Sequence, residues 1–238
     1  MKKIYLSLIA IASISSVVGQ QIQRPIFAEA KVINTNDKII VSPTPIQSGQ
    51  RTVLWDDDFS TPSNWTLTNT SSPALDWTIT TNVNILPVTS MQPVGFTTAA
   101  NGFAKIDSDG AGAAATQNAT MTYTGPTIDL TGVNNVAIKF QQAARKFQDT
   151  YTLRVSGDGG VTFTDYAINS TLLNNTETSN PDFVQVNISS VAANSSDVVI
   201  QFNYIAAYGW FWAVDDVEIV ELVDYDLSLN SLSWGSTG

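Results

Sequence analysis

YGWFWAVDDVEIVEL, residues Tyr208 to Leu222, packs aromatic, acidic and alternating apolar side chains into one run. Side chains of an extended chain alternate with period two, so Val217 and Ile219 share one face, and Val214, Glu218 and Val220 share the other. The run predicts the last strand of a sandwich. Asp215 and Asp216 interrupt its apolar pattern, and a carboxylate at the end of a buried strand is costly unless a cation compensates it. By parity Asp215 shares a face with Val217 and Ile219, and Asp216 with Glu218. If the first face is the core, Asp215 needs a buried partner and Asp216 points to the rim.

Upstream the same alternation recurs in short segments. Strands are expected at Trp65 to Thr68, Asp76 to Thr80, Gly102 to Asp107, Ala119 to Tyr123, Val136 to Gln141, Tyr151 to Ser156, Thr164 to Ile168, Phe183 to Ile188, Val198 to Tyr204 and Trp212 to Glu221. Turn residues separate nearly all of them, and no helical periodicity lies between, which is the pattern of an antiparallel β-sandwich or jelly roll. VLWDDDFS opens this region with Val53 and Trp55 alternating, then three acids. One carboxylate, Asp58 first among them, is expected to turn inward to a cation while Phe59 packs in the core; the alternative is a solvated turn.

Composition narrows the function classes. Charged residues make up only 13% of the 238 residues while Ser, Thr, Asn and Gly abound, which suits polar turns between strands better than helices. The net charge of −10 argues against nucleic acid, whose phosphates require clustered Lys and Arg, and suits divalent cations. Histidine and cysteine are both absent, which excludes disulfides, thiolate chemistry and every catalytic arrangement built on Ser-His-Asp or Cys-His.

Residues 1–19 combine Lys2 and Lys3, an apolar run from Ile4 and small residues Val17 and Gly19, the pattern of a signal peptide too short for a membrane span. Residues 20–51 form a proline-rich lead-in or pro-segment with a brief strand-like KIIV near Lys38. A domain follows over residues 52–223. The tail 224–238 starts a new apolar alternation and is expected to begin a further module of the same polypeptide.

Three motifs carry candidate chemistry. Asp107-Ser108-Asp109-Gly110 places two carboxylates two apart before a glycine, as part of a calcium shell or as a plain Asp-Gly hairpin turn. A nucleotide-binding reading of Gly110, Gly112 and Ala115 fails, because Thr116 to Thr124 reads as strand where that motif needs a helix. Ser156 to Phe163, SGDGGVTF, matches the Asp-box hairpin, in which the acid accepts backbone hydrogen bonds and the aromatic is expected to pin the turn to the core. Tyr208 and Trp210 could stack on sugar rings. The acids sit mostly in turns or tandem pairs, and do not present the two carboxylates roughly 5 to 9 Å apart that glycoside hydrolysis uses.

The order DDFS, IDSDGAG, PTIDLTG, VSGDGGVTF, FVQVNIS and YGWFWAVDDVEIVEL resembles the cleaved-adhesin or gingipain-adhesin domain, also called choice-of-anchor J, and more distantly MAM domains, over about residues 52 to 222. The resemblance implies a jelly-roll β-sandwich of the concanavalin A-like or galactose-binding-like kind, on secreted or outer-surface Bacteroidetes proteins; an export signal of the type IX secretion kind, if present, is expected beyond Gly238. It implies a non-catalytic adhesion module for a surface glycan or an extracellular protein, or an accessory module beside a catalytic domain. What it implies about calcium falls on Asp58, Asp107, Asp109, Asp215 and Asp216. A glycan-active hydrolase domain and a purely structural spacer are the alternatives.

Overall fold

The computed structural model describes residues 27–35, 38–45, 52–112 and 116–222, the first two segments as backbone only. The chain divides into two compact units, Met1–Gln50 and Arg51–Gly238. In the first, β1 (Phe27–Thr35) and β2 (Lys38–Pro45) pair as an antiparallel hairpin, where the sequence showed only the brief KIIV strand. The expected signal peptide and the tail 224–238 lie outside the described residues.

The second unit is all-β. One sheet has the order β10 (Thr164–Ile168), β9 (Asp149–Ser156), β12 (Val199–Ala206), β7 (Gln117–Tyr123), β4 (Trp65–Asn69). The other has the order β11 (Asp182–Asn187), β8 (Val136–Arg145), β13 (Phe211–Glu221), β6 (Phe103–Asp107), β5 (Thr78–Thr80), and β3 (Val53–Asp57) also pairs with β13. All pairings are antiparallel. Among the described strands of this unit only β5–β6 and β9–β10 are consecutive pairs within one sheet; every other connection crosses between sheets, as in a jelly roll. Each expected strand is present. No helix among the described residues is long and apolar enough to cross a membrane.

Alternation places the core. Met121, Leu153, Phe202 and Tyr204 from the first sheet meet Ile106, Ile138, Phe140, Trp212, Val214, Val217 and Ile219 from the second. Trp212 lies at the centre, with ring centroids 5.5 Å from Trp77, 5.3 Å from Tyr151 and 5.7 Å from Phe202, and its Nε1 donates to Gln142 Oε1 at 2.9 Å. A second apolar cluster covers the outer face of the six-stranded sheet, where Leu86, Met91, Val94 and Phe96 pack on Phe103, Ala143, Phe211 and Ala213. Residues 81–101, which fall between expected strands, cover that second cluster.

The Asp-box hairpin forms between β9 and β10. Asp158 accepts from Ser156 Oγ at 2.6 Å, Thr162 N at 2.9 Å and Thr162 Oγ1 at 2.5 Å, and these bonds, the Ser156 hydroxyl first, hold its carboxyl down at a pKa of about 2. Gly159 and Gly160 take φ of +70° and +87°, which glycine adopts without steric cost. Phe163 does not pin the turn to the core; it is half-buried on the outer face, with the Arg154 guanidinium 4.9 Å from its ring centroid.

Replacing Trp212 with alanine removes the ring shared by both sheets. Large-to-small core changes of this kind cost about 3–5 kcal/mol. Denaturant unfolding followed by circular dichroism should show that loss, and a change below about 1 kcal/mol would contradict this packing.

Candidate functional site

β13 carries one residue too many for its neighbour. Asp215 pairs with Gln141 on β8, but the next pair is Glu218 with Lys139, so Asp216 and Val217 together oppose the single residue Phe140. This is a β-bulge, and Asp216 takes a positive φ of +49° there. The bulge reverses the alternation. Trp212 and Val214 point into the core, and so do Val217 and Ile219. Asp215 therefore sides with Ala213 and Gln141 on the outer face, not with Val217 and Ile219 as unbroken parity implied. It is nonetheless 0% exposed, beneath the segment that covers this face.

On the other edge of β13, β6 pairs with Phe211 to Val214 and β3 with Val217 to Val220. The bulge lies where one neighbour gives way to the other. Asp58, the residue after β3, comes close enough that its charge, after burial and the charge of Asp216, helps raise the Asp215 carboxyl to a pKa of about 8. Asp215 Oδ1 accepts from Asp216 N at 2.8 Å, while its Oδ2 is buried without a hydrogen-bond partner. Asp216 accepts from Thr98 Oγ1 and Gln141 Nε2, both at 2.6 Å. Asp58 accepts from Ser60 N at 3.1 Å and Asn101 Nδ2 at 2.8 Å, and the Ser60 side chain, followed by Asn101, holds its carboxyl below the usual range against the opposing effect of burial. A hollow of about 380 Å³ opens here, lined by Asp56, Asp58, Thr98, Asp216 and Glu218 among others.

The inward acid is Asp57, a correction to the expectation for Asp58. Trp55 and Asp57 face Ile219 and Val217 in the ladder, so parity from Trp55 carries Asp57 inward. No cation meets it. Its carboxylate accepts from Phe59 N at 2.9 Å, Asn64 Nδ2 at 3.1 Å and Trp65 Nε1 at 2.9 Å. Phe59 is fully buried, as expected.

Asp107 and Asp109 are not brought to the bulge. Asp107 opposes Phe211, four residues up β13 from Asp215, or about 13 Å at strand rise. The segment is not a hairpin: it crosses between sheets as a helical turn, α1 (Ser108–Ala111), whose first residues Asp107 caps by accepting from Gly110 N at 2.8 Å. Lys105 Nζ lies 3.1 Å from Asp107 Oδ2. Among the described residues no three acidic side chains are gathered into a ready metal cage. Of the five proposed ligands, Asp58, Asp215 and Asp216 share one neighbourhood. They are hard oxygen donors with neutral oxygens beside them, which fits calcium in type, and the unpartnered Asp215 Oδ2 is the atom a cation would satisfy.

The turn before β13 forms a second site. Tyr208, 42% exposed, and Trp210 line a pocket of about 210 Å³ with Phe147, Asn175, Gly209 and Asp109. The Phe147 and Tyr208 rings meet edge-to-face at 5.9 Å, the Arg145 guanidinium lies 3.9 Å from the Trp210 ring centroid, and Trp210 Nε1 donates to Asn175 Oδ1 at 3.1 Å. Phe147 and Asn175 carry no motif, and the sequence showed no role for them. One buried carboxylate sets the pocket: Asp149 accepts from Phe147 N at 2.6 Å, Trp210 N at 3.0 Å and the Tyr204 hydroxyl. Burial raises its pKa, against those same hydrogen bonds. Trp210 O in turn accepts from Ser108 N and Asp109 N at 2.8 and 3.1 Å, which fixes Asp109 beside the aromatic rings.

Gly209 is obligatory in this arrangement, since a Cβ there would sit 1.7 Å from Asp149 Oδ1. Gly209→Ala should lose about 1–3 kcal/mol or more by overpacking, read as a lower denaturant midpoint. An unchanged midpoint would contradict the tight seat of Asp149.

No family model matches the chain, and no curated protein matches it in sequence. Among solved structures it is similar to the K1 cleaved adhesin domain of Lys-gingipain from Porphyromonas gingivalis W83, at 16% identity and a TM-score of 0.43, over 69% of this chain and 96% of that one. It is similar to the family 11 carbohydrate-binding module of the cellulosomal cellulase Lic26A-Cel5E of Clostridium thermocellum, at 12% identity and a TM-score of 0.44, over 76% and 99%. It is also similar to the enzymatically active domain of tailspike protein 4 of bacteriophage CBA120, at 15% identity and a TM-score of 0.41, over 69% of this chain but only 20% of that one.

Proposed function

We propose that residues 52–222 form a non-catalytic binding module of an extracellular or surface protein, which takes a surface glycan or an extracellular protein at the Tyr208–Trp210 pocket and is stabilised by calcium at Asp58, Asp215 and Asp216. The observation that carries binding is the pocket itself: an exposed tyrosine, a tryptophan held by Arg145 and Asn175, and hydrogen-bonding groups of Asn175 and Asp109 beside them. Aromatic faces stack on the apolar sides of sugar rings or receive protein side chains, while fixed polar groups orient the ligand. A binding role fits better than glycoside hydrolysis. Among the described residues Asp109 is the one carboxylate lining the pocket, and Asp149 behind it is engaged by two backbone N–H groups and the Tyr204 hydroxyl, so these residues do not supply the pair of acids that hydrolysis uses.

Calcium is supported by the cost of Asp215. A carboxyl whose folded pKa of about 8 lies far above the ~3.9 of an unfolded aspartate keeps its proton where the unfolded chain has lost it. Without metal, stability therefore falls as pH rises from about 4 to about 8 and levels off beyond. Bound calcium would be held by Asp58, Asp215 and Asp216 and would supply the positive charge that favours ionised Asp215.

Two measurements check these claims. Thermal melts in chelator should show a midpoint that falls between pH 5 and pH 8, with a calcium-induced rise that grows over the same interval. Asp215→Asn should flatten the slope in chelator and abolish the calcium response, whereas a pH-independent midpoint or no calcium effect would remove the ion from the account. On glycan and matrix-protein arrays the protein should bind, and Trp210→Ala should weaken binding about tenfold, the scale of one lost ring contact. Blank arrays would indicate a spacer, and sugar release from polysaccharides would indicate an enzyme.

A further inference from the structure

The outer face of the five-stranded sheet is laid out in polar rows. Ladder pairing sets Thr66, Thr122, Gln201, Arg154 and Asp165 side by side across β4, β7, β12, β9 and β10, and Thr68, Thr120, Asn203 and Thr152 in the next row. Their alternates Met121, Phe202 and Leu153 are core, so these side chains all leave the opposite face. Beside the first row, the Asp-box hairpin and the loop 124–127 rise to enclose a groove of about 360 Å³. Thr122, Val199 and Gln201 belong to its strands, and Phe163, Asp197 and Thr127 to its rim.

The groove's polar groups are held in place but not used up. Arg154 donates Nε to Asp165 Oδ1 and Nη1 to Gln201 Oε1, both at 2.9 Å, while its guanidinium lies over the Phe163 ring. This fixes the Gln201 carbonyl and leaves its amide NH₂ without a partner among the described residues. The Asp197 carboxylate lies against Gly159, where a Cβ would come within 2.8 Å of Oδ2, and it accepts no hydrogen bond from any described residue. The Thr122 and Thr127 hydroxyls are similarly unused. The groove thus offers an amide donor, a carboxylate acceptor, hydroxyls that do both, and one aromatic wall.

We propose that this groove is a second binding site, for a ring of an uncharged polysaccharide. Sugar hydroxyls donate and accept at once, which matches a mixed donor and acceptor set better than an anion or a simple apolar ligand does. Phe163 supplies the apolar surface against which the ring lies. The charge of Arg154 is compensated by Asp165, so Asp197 is the uncompensated charge of the groove and disfavours uronate, sulfate and phosphate ligands. The groove shares no lining residue with the Tyr208–Trp210 pocket. Gln201 lies five residues from the end of β12 at Ala206, about 17 Å at strand rise, and Tyr208 lies beyond that end. The inference therefore stands apart from the pocket's own role.

The test is amide chemical-shift mapping on the isotope-labelled full chain with hexamers of β-1,4-glucan, β-1,4-xylan and β-1,3-glucan, and with a galacturonate hexamer as the charged probe. At least one neutral hexamer should shift Thr122, Gly160 and Gln201 saturably. Gln201→Ala should weaken that binding about tenfold, the loss of one or two hydrogen bonds, and Trp210→Ala should leave it unchanged. Because Phe163 also packs on Arg154, Asp197→Ala, at an exposed position, serves as the second variant and should weaken binding with an unaltered melting midpoint. Absence of saturable shifts at the groove with every neutral probe, shifts confined to the Tyr208–Trp210 turn, or a preference for the galacturonate hexamer would each overturn the proposal.

Discussion

The extra residue in β13 governs the second sheet. With Asp216 inserted against Phe140, the strand changes phase: Trp212 and Val214 reach the core on one side of the bulge, and Val217 and Ile219 on the other. Without the insertion, one of these pairs would point outward. The same point marks the handover from β6 to β3, so the bulge is where ladder pairing along that edge is interrupted. Asp215 is trapped there with one carboxylate oxygen unsatisfied, a cost of order 1–3 kcal/mol for a neutral group and more when ionised. The Asp216 backbone N–H answers part of that cost at Oδ1, whereas Thr98 and Gln141 serve the neighbouring Asp216 carboxylate. The proposed calcium ion would answer the rest.

The start of β13 is set by a different buried acid. Asp149 pairs with no Lys or Arg among the described residues, yet it is satisfied by a tyrosine hydroxyl and by the backbone N–H groups of Phe147 and Trp210 themselves. Two buried carboxylates on one sandwich therefore have opposite logics. Asp149 spends its acceptors on shaping a pocket, whereas Asp215 keeps one in reserve. Asp57 follows the Asp149 pattern, with three donors and no need of metal.

Much of the fold was legible because the β-sandwich is written in local alternation: each short apolar-polar segment became a strand, and Phe59 entered the core as expected, whereas Trp212 and Ile219 share the core only because the bulge shifts the strand's phase. Asp215 is buried and Asp216 only partly so, but not by way of the Val217–Ile219 face on which the parity argument made Asp215's burial depend. Unbroken parity would have put Asp215 in the core; the bulge puts it outside, and the segment 81–101 buries it there. A one-residue insertion leaves no trace in composition, so only the partner strand reveals it. Asp57 was within reach, since it lies two residues beyond Trp55. Asp107 could not be separated from the other acids by chemistry alone, because a helix cap and a metal ligand ask for the same short carboxylate. Phe147 and Asn175 come from turns far from Tyr208 in sequence, and only the fold brings them together.

The central claim is that the Asp215 carboxyl is protonated without metal and gives up its proton to a cation. Calcium titration calorimetry at pH 6.5, repeated in buffers of different ionisation enthalpy, counts the protons released per ion bound. Release near one proton, lost in Asp215→Asn, is the predicted result. Saturable calcium binding with no proton release, or no binding at all, would contradict it.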